Sequence, residues 1–97
     1  MTYKRQCEIK ADHPSLAGHF PGNPIVPGVV ILDELFCALR AWKNDCQIEQ
    51  INTVKFLAPI KPGQQFVINL TESKPKRIDF KCSENDTVFA TGKLSLK

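Results

Sequence analysis

The chain has 97 residues, 42% of them hydrophobic and 24% charged, and carries a formal net charge of +3. That length makes one domain, spanning residues 1–97, and buries only about 60–65% of the surface its unfolded form exposes, so self-association is expected. The composition is too apolar for disorder. The mild, dispersed charge argues against nucleic acid as a ligand and favours an acidic protein partner.

The opening residues, Met1 to Glu8, hold no apolar core of a secretory signal. No stretch approaches the ~20 apolar residues that span a bilayer, so no membrane insertion and a cytoplasmic location are expected. Cys7, Cys37, Cys46 and Cys82 show no CxxC and no paired spacing. They are expected to be reduced, small and buried, without a disulfide framework.

Thr2 to Lys10 mixes β-formers with polar residues in alternation and predicts a strand. Ala11 to Pro27 carries four of the seven prolines and two of the five glycines, which marks an ordered loop. From Val29 the period changes: Ile31, Leu35, Ala38, Leu39 and Trp42 recur at i, i+4, i+7, i+8 and i+11, one face of a helix. Pro27 suits its start, and the helix is expected to end near Lys43 and Asn44, with Arg40 and Lys43 set against its C-terminal dipole. Its opening run, Val29 to Leu32, is apolar all round, which predicts a first turn enclosed by protein.

Only strands follow. Ile48 to Leu57, Gln65 to Thr71, Arg77 to Cys82 and Thr87 to Leu96 are separated by breakers at 58–63, 74–76 and 84–86. One helix with meandering strands implies an α+β fold, an antiparallel sheet wrapped around the helix.

The chemistry-bearing residues gather at the loop-to-helix junction. A helix N-terminus presents unpaired N–H groups and a partial positive charge, and Gly28 lets a substrate carbonyl approach them unobstructed. A thioester carbonyl held there acidifies its α-carbon. His19 is the residue of the loop able to take a proton near neutral pH. Asp33 follows among Ile31, Leu32 and Leu35, surroundings expected to desolvate it and raise its pKa so that it serves as an acid.

These residues resemble a known family. The run Asp12 to Asp33, with His19-Phe20-Pro21-Gly22-Asn23-Pro24-Ile25-Val26-Pro27-Gly28 at its centre, is similar to the signature of the hotdog-fold 3-hydroxyacyl-[acyl-carrier-protein] dehydratases of the FabA/FabZ type. Val54 to Gly63, ending Ala58-Pro59-Ile60-Lys61-Pro62-Gly63, resembles that family's strand and following x-x-Pro-x-x-Pro-Gly. The resemblance implies a hotdog fold, with His19 and Asp33 catalytic and Gly28 holding the thioester carbonyl, flanked by Phe20, Pro27 and Val29 as substrate-binding residues. It also implies edge-to-edge dimers, each site using the histidine of one chain and the acid of the other. The acyl chain then arrives on the phosphopantetheine arm of an acyl carrier protein. Cys37 stands where the family usually carries a glutamine that helps hold the carboxylate or a water. No counterpart of the extra N-terminal strand and short helix of the housekeeping enzymes is expected within residues 1–97. Both features look more like the small dehydratases of aryl-polyene or specialised lipid pathways.

Blander roles compete. His19 in a satisfied loop, Asp33 as a dipole-stabilised helix residue, and Gly28 as a tight helix start carry no chemistry. Glu34 is a fallback acid, about 100° around the helix from Asp33. His13, Asp12 and His19 lack the spacing of a metal site, so no metal and no cofactor are expected. Trp42 reads as packing, and Phe56 and Phe66 as strand core that could line an acyl tunnel. Lys74, Lys76, Arg77 and Lys61 read as solvated charges or a carrier-protein docking site. The leading function is dehydration of a (3R)-hydroxyacyl thioester to the trans-2-enoyl thioester. Hydrolysis of an acyl thioester by an Asp33-activated water and a non-catalytic subunit of a heterodimer are the alternatives.

Overall fold

The computed structural model describes residues 1–10 and 25–97. Five strands and one helix follow in the order β1 (Thr2–Glu8), α1 (Gly28–Trp42), β2 (Ile48–Phe56), β3 (Gln65–Lys74), β4 (Arg77–Glu84) and β5 (Thr87–Leu96). The strands form one antiparallel sheet in the order β1-β3-β4-β5-β2. With α1 on one face, this is the α+β hotdog arrangement expected from the sequence.

The meander covers only β3, β4 and β5. β2 does not lie beside β3; it crosses to the far edge and pairs with β5. The physical reason is the breaker at 57–64, too long for a tight hairpin and anchored elsewhere. The Leu57 N–H donates to the Phe89 carbonyl at 2.8 Å, the Val26 N–H to the Ile60 carbonyl at 2.7 Å, and the Gly63 N–H to the Ile9 carbonyl at 2.7 Å. The first bond ties the connection to β5, and the other two tie it to Val26, just before α1, and to Ile9, just after β1.

Alternation along the strands separates two faces. Ile68 and Leu70 of β3, Ile78, Phe80 and Cys82 of β4, and Ala90 and Leu94 of β5 point inward and are buried. From α1, Val30, Ile31, Leu35, Ala38 and Leu39 meet them. Full burial of a leucine such as Leu35 contributes roughly 1.5–3 kcal/mol. At Gly92 a β carbon would overlap the Thr53 carbonyl and the Phe80 ring, so the residue lets β2 close onto β5.

The far end of α1 is fixed by an aromatic and ionic cluster. Trp42 is half-buried and stacks on Tyr3, with centroids 6.0 Å apart and planes 14° apart. Lys43 places its ammonium 4.9 Å from the Trp42 ring centroid and 3.1 Å from Glu72 Oε1. Thus Lys43, expected to act on the helix dipole, is engaged by specific partners. Both hairpin turns contain a residue at positive φ, Lys76 (65°) and Asn85 (52°).

Candidate functional site

The N-terminus of α1 opens into a cavity of about 560 Å³. Pro27, Gly28 and Ile31 form its helix side, and Phe56, Leu57 and Pro59 lie opposite. Pro27 is the N-cap, with extended φ and ψ and no side-chain capping bond. The first N–H groups of a helix have no intrahelical partner, so the dipole's positive end and its amides lie at an apolar cavity wall. No acidic side chain sits in the first turn to neutralise that end.

Phe56 is 52% exposed and Leu57 58% exposed. Phe56 is therefore cavity wall and not core: it ends an edge strand and leaves about half of its surface open. Phe66 is the reverse, buried in the core and outside the cavity lining.

The structure brings Pro27 and Gly28 into the cavity and leaves Val29 and Asp33 elsewhere. Val29 is 63% exposed, and Asp33, one turn later, shares its open face of α1. This corrects two expectations. The first helical turn is not enclosed within the single chain. Nor is Asp33 desolvated by Ile31 and Leu35, because residues two apart on a helix point about 200° away from each other. Those side chains enter the core while Asp33 faces outward. Cys37, the next residue on that face, is also exposed, against the expectation of four buried cysteines, and its Sγ lies 4.0 Å from Arg40 Nη2.

His19 and Phe20, and with them His13 and Asp12, lie outside the described residues. Of the remaining thiols, Cys7 and Cys82 are buried as expected, while Cys46 is only half-buried. All four cysteines are free, and burial is the main cause pushing Cys7 up to about 11 and Cys82 up to about 12. No metal-binding group of three His, Cys, Asp or Glu residues occurs among the described residues. Among them, too, no helix is long and apolar enough to cross a membrane.

Leu57, the last residue of the strand expected from the sequence, and the breaker Ala58-Pro59-Ile60 close the cavity opposite Gly28. The signal available was the composition itself, since an apolar breaker between polar strands needs something to cover it.

Known proteins share this fold. The solved dehydratase heterocomplex ApeI:P of Xenorhabdus doucetiae has the same fold, with a TM-score of 0.86 at 24% identity, covering 98% of this chain and 86% of that one. A 1,4-dihydroxy-2-naphthoyl-CoA thioesterase from Synechocystis also shares it, with a TM-score of 0.70 at 13% identity, covering 99% and 80%. The fold alone therefore does not choose the reaction. In sequence, the chain is 33% identical over 79 residues to the 3-hydroxyacyl-[acyl-carrier-protein] dehydratase FabZ of Klebsiella pneumoniae, across 71% of this chain and 52% of that protein. The chain thus spans about half the length of the curated relatives it matches. The ApeI-like family model, described as ApeI dehydratase, matches residues 1–93, and on that match the chain belongs to the ApeI-like dehydratase family.

Proposed function

We propose that this chain removes water from a (3R)-hydroxyacyl thioester, delivered on an acyl carrier protein, to give the trans-2-enoyl thioester. The observation that carries the reading is the apolar cavity at the N-terminus of α1, with Gly28 in its wall. A thioester carbonyl seated against that helix end meets amide donors where charge develops as the α-proton leaves. The Gly28 N–H holds the enolate-like oxygen, His19 takes the α-proton, and Asp33 protonates the departing hydroxyl. Pro27 shapes the wall beside Gly28. Phe20 completes the substrate-binding set, with Val29 joining it from the open face of α1 toward a partner's cavity.

A dimer joined through β2 fits this chemistry. β2 is a nine-residue strand at the sheet edge, paired on one side only among the described residues. Such an edge is a template for a second strand. Val29, Ile51, Phe56 and Leu57 are exposed apolar residues of α1, β2 and the end of β2. Asp33 faces away from its own chain's core, as an acid serving a partner's cavity would. The same edge accepts either a second copy or a related hotdog subunit, and Cys37 in the glutamine position favours the second case as the runner-up reading.

Turnover of a 3-hydroxyacyl carrier-protein thioester by wild type, His19→Ala and Asp33→Asn tests the reading. Enoyl formation by wild type alone supports it. Undiminished turnover in both variants ends it, and free thiol without enoyl product replaces it with hydrolysis. Activity seen only after mixing with a second hotdog protein selects the heterodimer.

A further inference from the structure

The face of the sheet that α1 leaves uncovered carries an ordered row of lysines. Strand registers place Lys4 opposite Asn69, Asn69 opposite Lys81, Lys81 opposite Thr91 and Thr91 opposite Lys55. One transverse line thus crosses all five strands. The flanking line on the inner face includes Ile68, Cys82 and Ala90, all buried, so the lysine row points to the outer side. Lys4, Lys81 and Lys55 are exposed, and the ion pairs among the described residues, Lys10 with Glu8 and Lys43 with Glu72, involve none of them.

The next outer row reads Thr2, Thr71, Asp79, Lys93 and Thr53. Together the two rows hold four cations against one carboxylate, an excess equal to the chain's whole formal charge of +3. The charge that reads as dispersed along the sequence is collected on one face by the pleat. Between the lysines stand Asn69 and Thr91, short side chains that leave the surface unobstructed.

The spacing selects a partner. Neighbouring strands lie ~4.8 Å apart, so lysines on every second strand repeat at about 10 Å. A helix rises 1.5 Å per residue, so carboxylates seven residues apart repeat at about 10.5 Å on one face. We infer that this outer sheet face docks a protein presenting an acidic helix laid across the strands, one carboxylate to each of Lys4, Lys81 and Lys55. This goes beyond the proposed dehydration and does not rest on it. A lipid surface has no such repeat, and the row offers no apolar wedge to enter one.

The test is an amide-resolved NMR titration of the full chain with an alanine-based helical peptide, both ends blocked, carrying glutamates at i, i+7 and i+14. An isomer of equal composition, with glutamates at i, i+5 and i+9, is the comparison. Shifts centred on Lys4, Asn69, Lys81, Thr91 and Lys55, weakening with salt, are expected for the first peptide. Lys4→Gln/Lys55→Gln/Lys81→Gln, with an unchanged unfolding midpoint, is expected to bind it about tenfold more weakly. Equal binding of both peptides, shifts elsewhere, or an unaffected triple variant overturns the inference. So does co-sedimentation with phosphatidylglycerol vesicles without discrimination between the peptides.

Discussion

The ring of Phe56 lies over Gly28 so closely that a β carbon at position 28 would stand 2.8 Å from its ζ carbon. Phe56 ends an edge strand and Gly28 begins the helix, so the contact clamps the cavity where the amides emerge. Because Phe56 is half-exposed, its ring can swing aside, and Gly28→Ala is expected to cost less than about 1.5 kcal/mol in stability. Turnover is expected to fall about tenfold or more, because the displaced ring and new methyl occupy the carbonyl's approach. Adding Phe56→Ala to Gly28→Ala restores part of that loss. Melting curves beside steady-state kinetics check both halves.

Cys37 follows Asp33 on the same exposed face, where a thiol is a poor hydrogen-bonder. Cys37→Gln supplies an amide that can hold the carboxylate, and one such bond is worth roughly 0.5–1.5 kcal/mol. The expected outcome is a rise in kcat of about 2–10-fold, measured on the same thioester.

Thiol reactivity separates the four cysteines. Iodoacetamide on the native chain is expected to label Cys37 first and half-buried Cys46 more slowly, while Cys7 and Cys82 react only on unfolding. Burial raises the Cys82 thiol to about 12 from an ordinary value of 9.0. Its favourable contribution is therefore complete below pH 9 and disappears as the pH climbs toward the folded value. Denaturant midpoints for Cys82→Ala should decline less steeply than wild type in that alkaline range, and peptide mapping reads the labelling order.

Glu72 ties the end of α1 to the β3–β4 hairpin. It accepts the Lys76 backbone N–H at 3.1 Å and the Lys43 ammonium at 3.1 Å. Those bonds, the backbone one foremost, hold its carboxyl below the ordinary value of 4.5. A depressed folded value means the contribution is present above pH 4.5 and fades as the pH drops through the lower folded value. The stability difference between wild type and Glu72→Gln is accordingly expected to be constant near neutrality and to shrink in acid, as thermal melts across a pH series would show.

The 3.6 period from Ile31 to Trp42 fixed α1, and the strand positions followed from local alternation and breakers, because each is set by residues a few positions apart. The membership suggested by His19 to Asp33 was likewise written in contiguous residues. The tertiary structure decided that β2 joins the far edge beside β5, because backbone bonds from 57–64 to distant residues carry it there. It also decided that Phe56 covers Gly28, that Asp33 faces outward, and that Lys4, Lys81 and Lys55 fall into line. Those relationships join residues tens of positions apart, and only strand pairing and side-chain packing across the sheet bring them together.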